Sequence, residues 1–417
     1  MRSPFLSGQH ARVRLRRKAP LPFIALAIGL LASYLPGLFP GGVGVQLSYL
    51  GWMVPLLGCG VVAMRHLRRV IFPLRLWMPW ILWVVAYLPF ADADNALQRS
   101  VMLLTPLVVG AGFSTLQIEE PLIEKFRLWL NRFFWIFIAV AGVTTGLLVA
   151  GQLYGVSAFS AGAITASLLA VWYAARYAGG DFRALGYWAA MAAVPVLANT
   201  RTGMVAVALT LPLTLAPLSK KKRLIAVAVL MAAGLLVFQL ERIQSKMFYS
   251  GQGQLSDAVS GVIDLLSGNE PTSYDFATTG RRSMNDALIA GLDEAYWLGH
   301  GANTTEAISL AVSMVTHPHN DWLRLRYEYG ILGMLLFSLT LLAQMVHALL
   351  RLRGMRSEAA IFLYAGAGAF IPMVLFMFSD NVILYAAWFG NLHFAMLGLG
   401  YAAIRPVRRG GTHRATP

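Results

Sequence analysis

The 417-residue sequence has a single cysteine, Cys59, and few charged residues. One cysteine excludes an internal disulfide framework and any metal site built from several thiolates. Only 13% of the residues are charged and 57% are hydrophobic, whereas soluble globular proteins have roughly a quarter charged residues. A water-soluble enzyme is therefore disfavoured, and so much apolar sequence also argues against intrinsic disorder. The composition is typical of a polytopic membrane protein.

Several nucleotide-binding, metal-binding and ion-coupling motifs are also absent. The sequence has no P-loop, no dinucleotide-binding glycine fingerprint and no His-Glu-x-x-His zinc pair. Asp92 and Asp94 have the spacing of a pair that holds a metal-bound nucleotide sugar, but their place in a short turn between apolar segments favours a solvated hairpin. No apolar segment has an Asp, Glu, Lys or Arg near its middle, and ion-driven carriers commonly need such acidic or basic residues. An ion-coupled transporter is therefore disfavoured, which leaves a facilitator open.

Long apolar segments make up most of the chain. A helix needs about 20 largely apolar residues to cross the hydrocarbon core of a membrane. The sequence therefore predicts an all-α fold, a polytopic integral membrane protein with about 12 transmembrane helices. The first span follows a basic leader without a convincing small-residue cleavage site, so we interpret it as a retained signal anchor. The candidate spans are 21–37, 43–64, 74–90, 98–116, 128–150, 158–178, 184–199, 203–218, 224–240, 329–350, 359–378 and 382–404.

The distribution of Lys and Arg predicts the orientation of these spans, because cytoplasmic loops carry an excess of both. With the N-terminus inside, 26 of the 34 Lys and Arg fall in segments that the alternation places in the cytoplasm. Both termini are therefore predicted to be cytoplasmic, and the exceptions on the outer side include Arg99 and Arg201. The net charge of +15 is mostly this topology signal, so we expect membrane lipids and no nucleic acid as partners.

One long polar segment, residues 241–328, interrupts the spans, and the alternation places it outside. It contains eleven acidic and six basic residues. It divides the chain into an N-terminal bundle of about nine spans (1–240), an outer loop domain (241–328) and three C-terminal spans with a basic tail (329–417). Apolar residues at helical spacing over 255–266 and 284–295 predict two short helices within the loop. Loops of this length are usually functional.

Two histidines lie where this loop enters the tenth span, in the sequence Thr-His-Pro-His-Asn-Asp-Trp-Leu over residues 316–323. A neutral imidazole, of His317 or His319, can take a proton from a sugar hydroxyl near neutral pH. Asn320 can orient the imidazole or the acceptor. The alternative interpretation is an interfacial loop whose histidines only cap a helix.

Three arginines on the outer side are candidates for phosphate binding. Arg201 lies in a very short turn between two apolar segments, and Gly280-Arg281-Arg282 opens the second loop helix. Arginine binds phosphate through a planar fork that stays charged at any working pH, and a helix N-terminus favours the same anion. The alternatives are ion pairs with loop carboxylates for Arg281 and Arg282, and snorkelling to lipid headgroups for Arg201.

Two further pairs first suggest structural roles. Arg324 and Glu328 are four residues apart, which favours a salt bridge on a helix surface. Tyr296 and Trp297, next to a Gly-His-Gly sequence, are interpreted as interfacial anchors, with a platform for sugars as the alternative.

The polar sequences of this chain resemble a known family, the bacterial O-antigen ligases. They belong to a wider superfamily with O-antigen polymerases and bacterial protein O-oligosaccharyltransferases. The resemblance rests on three sequences in order: Asn-Thr-Arg-Thr-Gly at 199–203, Thr-Gly-Arg at 279–281, and His-Pro-His-Asn-Asp-Trp-Leu at 317–323, which runs into Glu-Tyr-Gly-Ile-Leu-Gly at 328–333. The topology, with one large outer loop before the last three spans, matches along the whole chain.

The resemblance implies an inverting, metal-independent glycosyltransferase of lipopolysaccharide biosynthesis that needs no cofactor. It would lie in the bacterial inner membrane with its active site facing the periplasm. The donor would be an O-antigen polysaccharide on undecaprenyl pyrophosphate, and the acceptor a sugar hydroxyl of lipid A–core. His319 would be the general base, and Arg201 and Arg281 would engage the donor pyrophosphate. The residues expected to help in substrate binding are His317, Arg282 and Asn320.

Three alternatives stay open at this point. An O-antigen polymerase and a protein O-oligosaccharyltransferase belong to the same superfamily, and a membrane transporter belongs to a different class. The modest length and the lack of a large added C-terminal domain argue against the protein-modifying branch, but they barely separate ligase from polymerase. A transporter predicts polar residues along the spans, and the sequence has few of them.

Overall fold

The computed structural model describes residues 19–34, 42–90, 93–149, 158–215, 218–248, 250–257, 259–260, 281–312, 317–353, 355 and 359–404. Every secondary-structure element assigned within these ranges is a helix, which confirms the predicted all-α class. The predicted cytoplasmic termini rest on residues 1–18 and 405–417, which lie outside the described residues. Most of the first predicted loop helix, 255–266, also lies outside them.

Eleven α-helices precede the undescribed part of the long loop, and six follow it within the described ranges. The first group is α1 (Leu21–Tyr34), α2 (Gly42–Arg65), α3 (Leu74–Tyr87), α4 (Ala96–Ser114), α5 (Glu120–Val149), α6 (Ala158–Ala178), α7 (Ala184–Leu197), α8 (Arg201–Ala208), α9 (Leu211–Leu215), α10 (Lys220–Phe238) and α11 (Glu241–Met247). The second group is α12 (Arg281–Ala290), α13 (Thr304–Val312), α14 (Asp321–Leu352), α15 (Ala360–Gly368), α16 (Phe370–Phe376) and α17 (Gly390–Ala402).

The helices follow the predicted spans along most of the chain. The predicted span 203–218 is divided into α8 and α9, and the predicted span 359–378 is divided into α15 and α16. Among the described residues, four helical stretches are long and apolar enough to cross a membrane, and five shorter apolar helices accompany them. The four stretches are Ser48–Arg65, Ala96–Ser114, Glu120–Val143 and Asp321–Leu352. The chain is thus an all-helical membrane protein, and the number of 12 spans stays a prediction.

Two helices, α6 and α17, form the centre of the bundle. Residues 162–177 of α6 and all of α17 are buried, as expected for helices that neighbours cover on every side. α17 approaches α4 so closely that a Cβ atom added at Gly398 would overlap the carbonyl oxygen of Gly110. Small residues allow such close approach between helices in a membrane.

The predicted beginning of the last span is wrong. The sequence predicts a span over 382–404, but the structure has turns over 382–389, and α17 begins at Gly390. The buried Asp321 carboxylate accepts a hydrogen bond from the Ile383 N–H at 2.8 Å, and the Asp380 carboxylate accepts one from the Asn381 N–H at 2.9 Å. These side chains satisfy backbone groups along a non-helical path, which the apolar composition of the segment does not reveal.

The long helix α14 is interrupted at Gly330, where φ is 69° and ψ is 179°. This backbone conformation is essentially restricted to glycine. The break leaves backbone groups on both sides without helical partners, and loop residues 296–301 pair with them. The four hydrogen bonds run from Ile331 N–H to the Tyr296 oxygen (3.0 Å), from Leu332 N–H to the Trp297 oxygen (3.4 Å), from His300 N–H to the Tyr327 oxygen (2.9 Å) and from Gly301 N–H to the Glu328 oxygen (2.9 Å). Backbone hydrogen bonds thereby hold loop residues 296–301 against α14 on both sides of the break.

We expect Gly330→Ala to destabilise the protein by about 2 kcal/mol or more, because alanine is strained in this backbone conformation. A Cβ atom there would also overlap the carbonyl oxygen of Trp297. The matched control is Gly234→Ala in α10, where an added Cβ atom meets no atom within 4 Å. Thermal unfolding of both purified variants in detergent is the measurement. A Gly330→Ala protein that unfolds at the same temperature as the control would contradict this account of the break.

Candidate active site

Arg201 is the first residue of α8, and a connection of three residues, 198–200, separates this helix from α7. Asn199 has φ 50°, the left-handed conformation that commonly follows the end of a helix. Thr200 is extended and occupies the N-cap position of α8. The short turn that the sequence predicts is therefore present, and it places the half-buried Arg201 at a helix N-terminus.

A hydrogen bond joins the beginning of α8 to the turn that follows α16. The hydroxyl oxygens of Thr202 and Ser379 are 2.6 Å apart, and Asp380 is the next residue of that turn. The bond therefore brings the end of α8 that carries Arg201 to the segment that contains Asp380.

His319 lies just before α14, and its ring faces Asp380. The Nδ1 atom is 3.2 Å from Asp380 Oδ1, and the two side chains are 24% and 14% exposed. An ionised carboxylate only accepts hydrogen bonds, so this contact favours the ring proton on Nδ1 and leaves the Nε2 lone pair for another partner. His319 has φ 50°, an uncommon conformation for a residue other than glycine and one that recurs at functional sites.

The side chain of Asn381 approaches the same ring nitrogen. Its Nδ2 atom is 3.4 Å from His319 Nδ1, and a donor at this position would require a lone pair on Nδ1. The Asp380 contact is shorter and involves a charge, so it decides where the ring proton lies. Exchanging the two ends of the Asn381 amide presents its oxygen to the ring N–H and removes the conflict.

Asn320 caps α14, since its Oδ1 atom accepts a hydrogen bond from the backbone N–H of Leu323 at 3.0 Å. Asparagine is among the preferred N-cap residues. The capping residue is thus Asn320 and not a histidine, so the interpretation in which the histidines cap the helix is wrong. The contact of Asn320 with substrate stays a prediction.

His317 is buried and faces an arginine, Arg99, for which the sequence predicts no role in substrate binding or catalysis. Its Nε2 atom is 3.3 Å from Nη2 of Arg99, in the first turn of α4. The same guanidinium nitrogen lies 3.7 Å from the Glu306 carboxylate of α13. The only sequence signal for Arg99 is its place among the few basic residues that the alternation puts on the outer side.

The pairing of Arg324 with Glu328 is confirmed, but its predicted position on a helix surface is wrong. Arg324 Nε lies 3.0 Å from Glu328 Oε1, and the side chains are 3% and 0% exposed. Asp321 lies 3.6 Å from the same guanidinium, and Thr305 of α13 donates to Glu328 Oε1 at 2.6 Å. The loop helix covers this face of α14, and buried charges require such partners.

Arg281 is the first residue of α12, so the predicted second loop helix is confirmed. The side chains of Arg281 and Arg282, and residues 261–280 before them, lie outside the part of the chain that the structure describes. Leu288 of α12 and Leu292, which follows the helix, form a buried apolar cluster with Tyr327 of α14. α12 therefore lies against the start of α14, and the role of Arg281 stays a prediction.

The charged side chains of this region are arginines and carboxylates in pairs. Within the described ranges no group of three or more His, Cys, Asp or Glu side chains is arranged to hold a metal ion. Asp92, of the predicted hairpin, lies outside the described residues, and Asp94 is exposed. His319 thus contacts a carboxylate in the turn after α16, and a hydrogen bond joins that turn to the first turn of α8, which begins at Arg201.

Comparison with known protein families identifies the central part of the chain. Residues 186–338 match a family model described as O-antigen ligase, a range that includes Arg201, Arg281 and His319. No curated protein matches the chain. The match points to the superfamily of O-antigen ligases and polymerases, whose members act on lipid-linked polysaccharides and lipid A–core. This part of the chain is therefore similar to the O-antigen ligase family, in agreement with the resemblance of the sequence.

Proposed function

We propose that the protein is an O-antigen ligase, which transfers a polysaccharide from undecaprenyl pyrophosphate to a sugar hydroxyl of lipid A–core. The observation that carries this proposal is the contact between His319 and Asp380. Asp380 lies in the turn after α16, and Ser379 of the same turn is hydrogen-bonded to Thr202 in the first turn of α8. His319 is thereby connected, through Asp380 and the neighbouring Ser379, to the first turn of α8, which begins at Arg201. The O-antigen ligase family match over this region supports the proposal.

His319 is the general base of the proposed reaction. With its ring proton on Nδ1, the imidazole takes the proton of the acceptor hydroxyl at Nε2, and the Asp380 carboxylate stabilises the imidazolium that forms. The acceptor oxygen forms a bond to the anomeric carbon of the donor while the bond from that carbon to the pyrophosphate oxygen breaks. Attack from the opposite side inverts the configuration at the anomeric carbon.

Arg201 and Arg281 stabilise the charge that grows on the leaving pyrophosphate. A guanidinium binds phosphate oxygens through two parallel hydrogen bonds, and such preorganised charge is often the largest contribution to catalysis. Both residues begin a helix, and the free N–H groups and dipole of a helix N-terminus favour the same anion. The arginines supply the charge that a divalent ion supplies elsewhere, so we expect transfer without a metal or another cofactor.

Both proposed substrates are amphiphiles whose lipid portions stay in the bilayer. A reaction between them requires a site where the outer loop meets the membrane, and His319 lies at the start of α14, the longest of the apolar helices. We therefore propose an inner-membrane protein with its site facing the periplasm. Arg282 and Asn320 would contribute to substrate binding, and the loop helices would keep water from the donor.

A strain without this gene tests the reaction directly. We expect long-chain lipopolysaccharide to be absent while polymer accumulates on the lipid carrier, because polymerisation precedes ligation. The wild-type gene should restore the long chains, and a His319→Ala gene expressed at the same level should not. Gel analysis of lipopolysaccharide and of the carrier-linked fraction measures both products. A deletion strain that still attaches one repeat unit to the core would instead indicate a polymerase.

From the contact between His319 and Asp380 we predict different losses of transfer rate when each of the two residues is replaced. His319→Gln should lower the rate by about a hundredfold or more, because it removes the general base. Asp380→Asn should lower it by about tenfold or more, because it removes a charge-assisted hydrogen bond to the ring. The initial rate in membranes with equal amounts of protein is the measurement, and Asp94→Asn, at an exposed residue, is the control. Wild-type rates in Asp380→Asn would contradict the orienting role of the carboxylate.

A further inference from the structure

The contact between Arg99 and His317 has no part in the mechanism proposed above. The two residues are 218 positions apart in the sequence, and Arg99 Nη2 lies 3.3 Å from His317 Nε2. His317 is only 9% exposed, and the Arg99 side chain is 18% exposed. Both are therefore largely shielded from water in a region where the neighbouring histidine has its own carboxylate partner.

The chemistry of the two groups fixes the state of the His317 ring. A guanidinium has donors only, so the His317 Nε2 atom must accept, and the ring proton lies on Nδ1. Protonation of Nε2 would place a second cation against the guanidinium, which is unfavourable. His317 is thus a neutral acceptor at Nε2, whereas the carboxylate contact of His319 leaves that ring free to gain a proton there.

We propose that Arg99 is a positioning residue, which holds His317 as an uncharged hydrogen-bond acceptor so that His319 alone of the two histidines takes up a proton in the reaction. This inference rests on the proposed function. The turn of residues 317–320 is then held by two contacts. Arg99 of α4 contacts His317, and Asp380 contacts His319.

The carboxylates of the surrounding elements have other partners. Glu306 of α13 pairs with Arg99, Asp321 and Glu328 of α14 pair with Arg324, and Asp380 pairs with His319. The phenol of Tyr385 lies close enough to interact electrostatically with Arg99. The guanidinium contact at Nε2 is thus the charged contact from which we infer the protonation of His317.

Three replacements of His317 test this assignment, because they place an acceptor at different positions. The amide oxygen of His317→Gln reaches the position of Nε2, whereas His317→Asn reaches only that of Nδ1 and His317→Ala offers no acceptor. We expect His317→Gln to retain transfer within about threefold of wild type, and the other two to lose about tenfold or more, as for a lost hydrogen bond to a charged group. The dependence of the rate on pH should be the same in His317→Gln as in wild type, since the proposal keeps His317 uncharged throughout the reaction.

A double-mutant cycle tests the partner. Arg99→Met removes the donor with a side chain of similar length, so His317→Asn should cause little further loss in its presence. Glu306→Gln is the matched control, because it removes the ion pair with Arg99 and leaves the contact with His317. Its pH dependence should match that of wild type. If Arg99→Met does not fold, as judged by thermal unfolding in detergent, the three His317 variants decide the question alone.

The inference is overturned if His317→Gln loses as much transfer as His317→Ala, or if its pH dependence differs from that of wild type. Either result would mean that His317 exchanges a proton during the reaction. Additive losses from Arg99→Met and His317→Asn would likewise remove Arg99 as the partner. These results leave the proposed function intact as long as the wild-type protein ligates polysaccharide and His319→Gln does not.

Discussion

The account depends on the turn of residues 317–320, which two charged side chains from distant segments hold in place. The left-handed backbone at His319 costs about 1–3 kcal/mol. The Asn320 cap contributes about 1 kcal/mol, and hydrogen bonds to charged groups contribute about 1.5–3 kcal/mol each. The contacts with Arg99 and Asp380 are therefore large enough, together with the cap, to maintain the strained turn.

The loop and the membrane bundle meet at the start of α14 through two kinds of interaction. At the Gly330 break, loop main chain pairs with helix main chain, so backbone hydrogen bonds position the loop there. Before the break, the buried group of Asp321, Arg324 and Glu328 connects α14 to the α13 helix and to the turn before α17. Buried ion pairs add little net stability, but removing one partner is costly, so they hold these elements in one arrangement.

Most helices could be predicted from the sequence because apolar length is a local property. The bounds of α1, α2 and α6 lie close to those of the predicted spans, and α12 begins at the predicted arginine. The turns over 382–389 could not be predicted, because the carboxylate that holds Ile383 comes from residue 321. The burial of the Arg324 and Glu328 pair was also hidden, since the covering helix α13 lies elsewhere in the sequence.

In the candidate site, too, some residues could be predicted from the sequence and others could not. His319 and Arg201 stand out in the sequence as polar residues at membrane boundaries, and their proposed roles come from the family resemblance. Asp380, the partner of His319, and Ser379, the partner of Thr202, carry no local signal, because each acts through a contact with a residue far along the chain. Arg99 is predicted to lie on the outer side of the membrane, where few Lys and Arg occur. This is a weak signal, and a role for Arg99 follows only from its contact with His317.

The central claim is that Arg201 and His319 serve one donor site in different roles, one binding the pyrophosphate and the other activating the acceptor. Binding of undecaprenyl pyrophosphate to the purified protein, measured by native mass spectrometry, tests it most directly. Arg201→Ala should bind this lipid about tenfold more weakly or worse, as expected for a lost charge-assisted contact, while His319→Ala should bind it as the wild type does. Unchanged binding by Arg201→Ala would contradict the account.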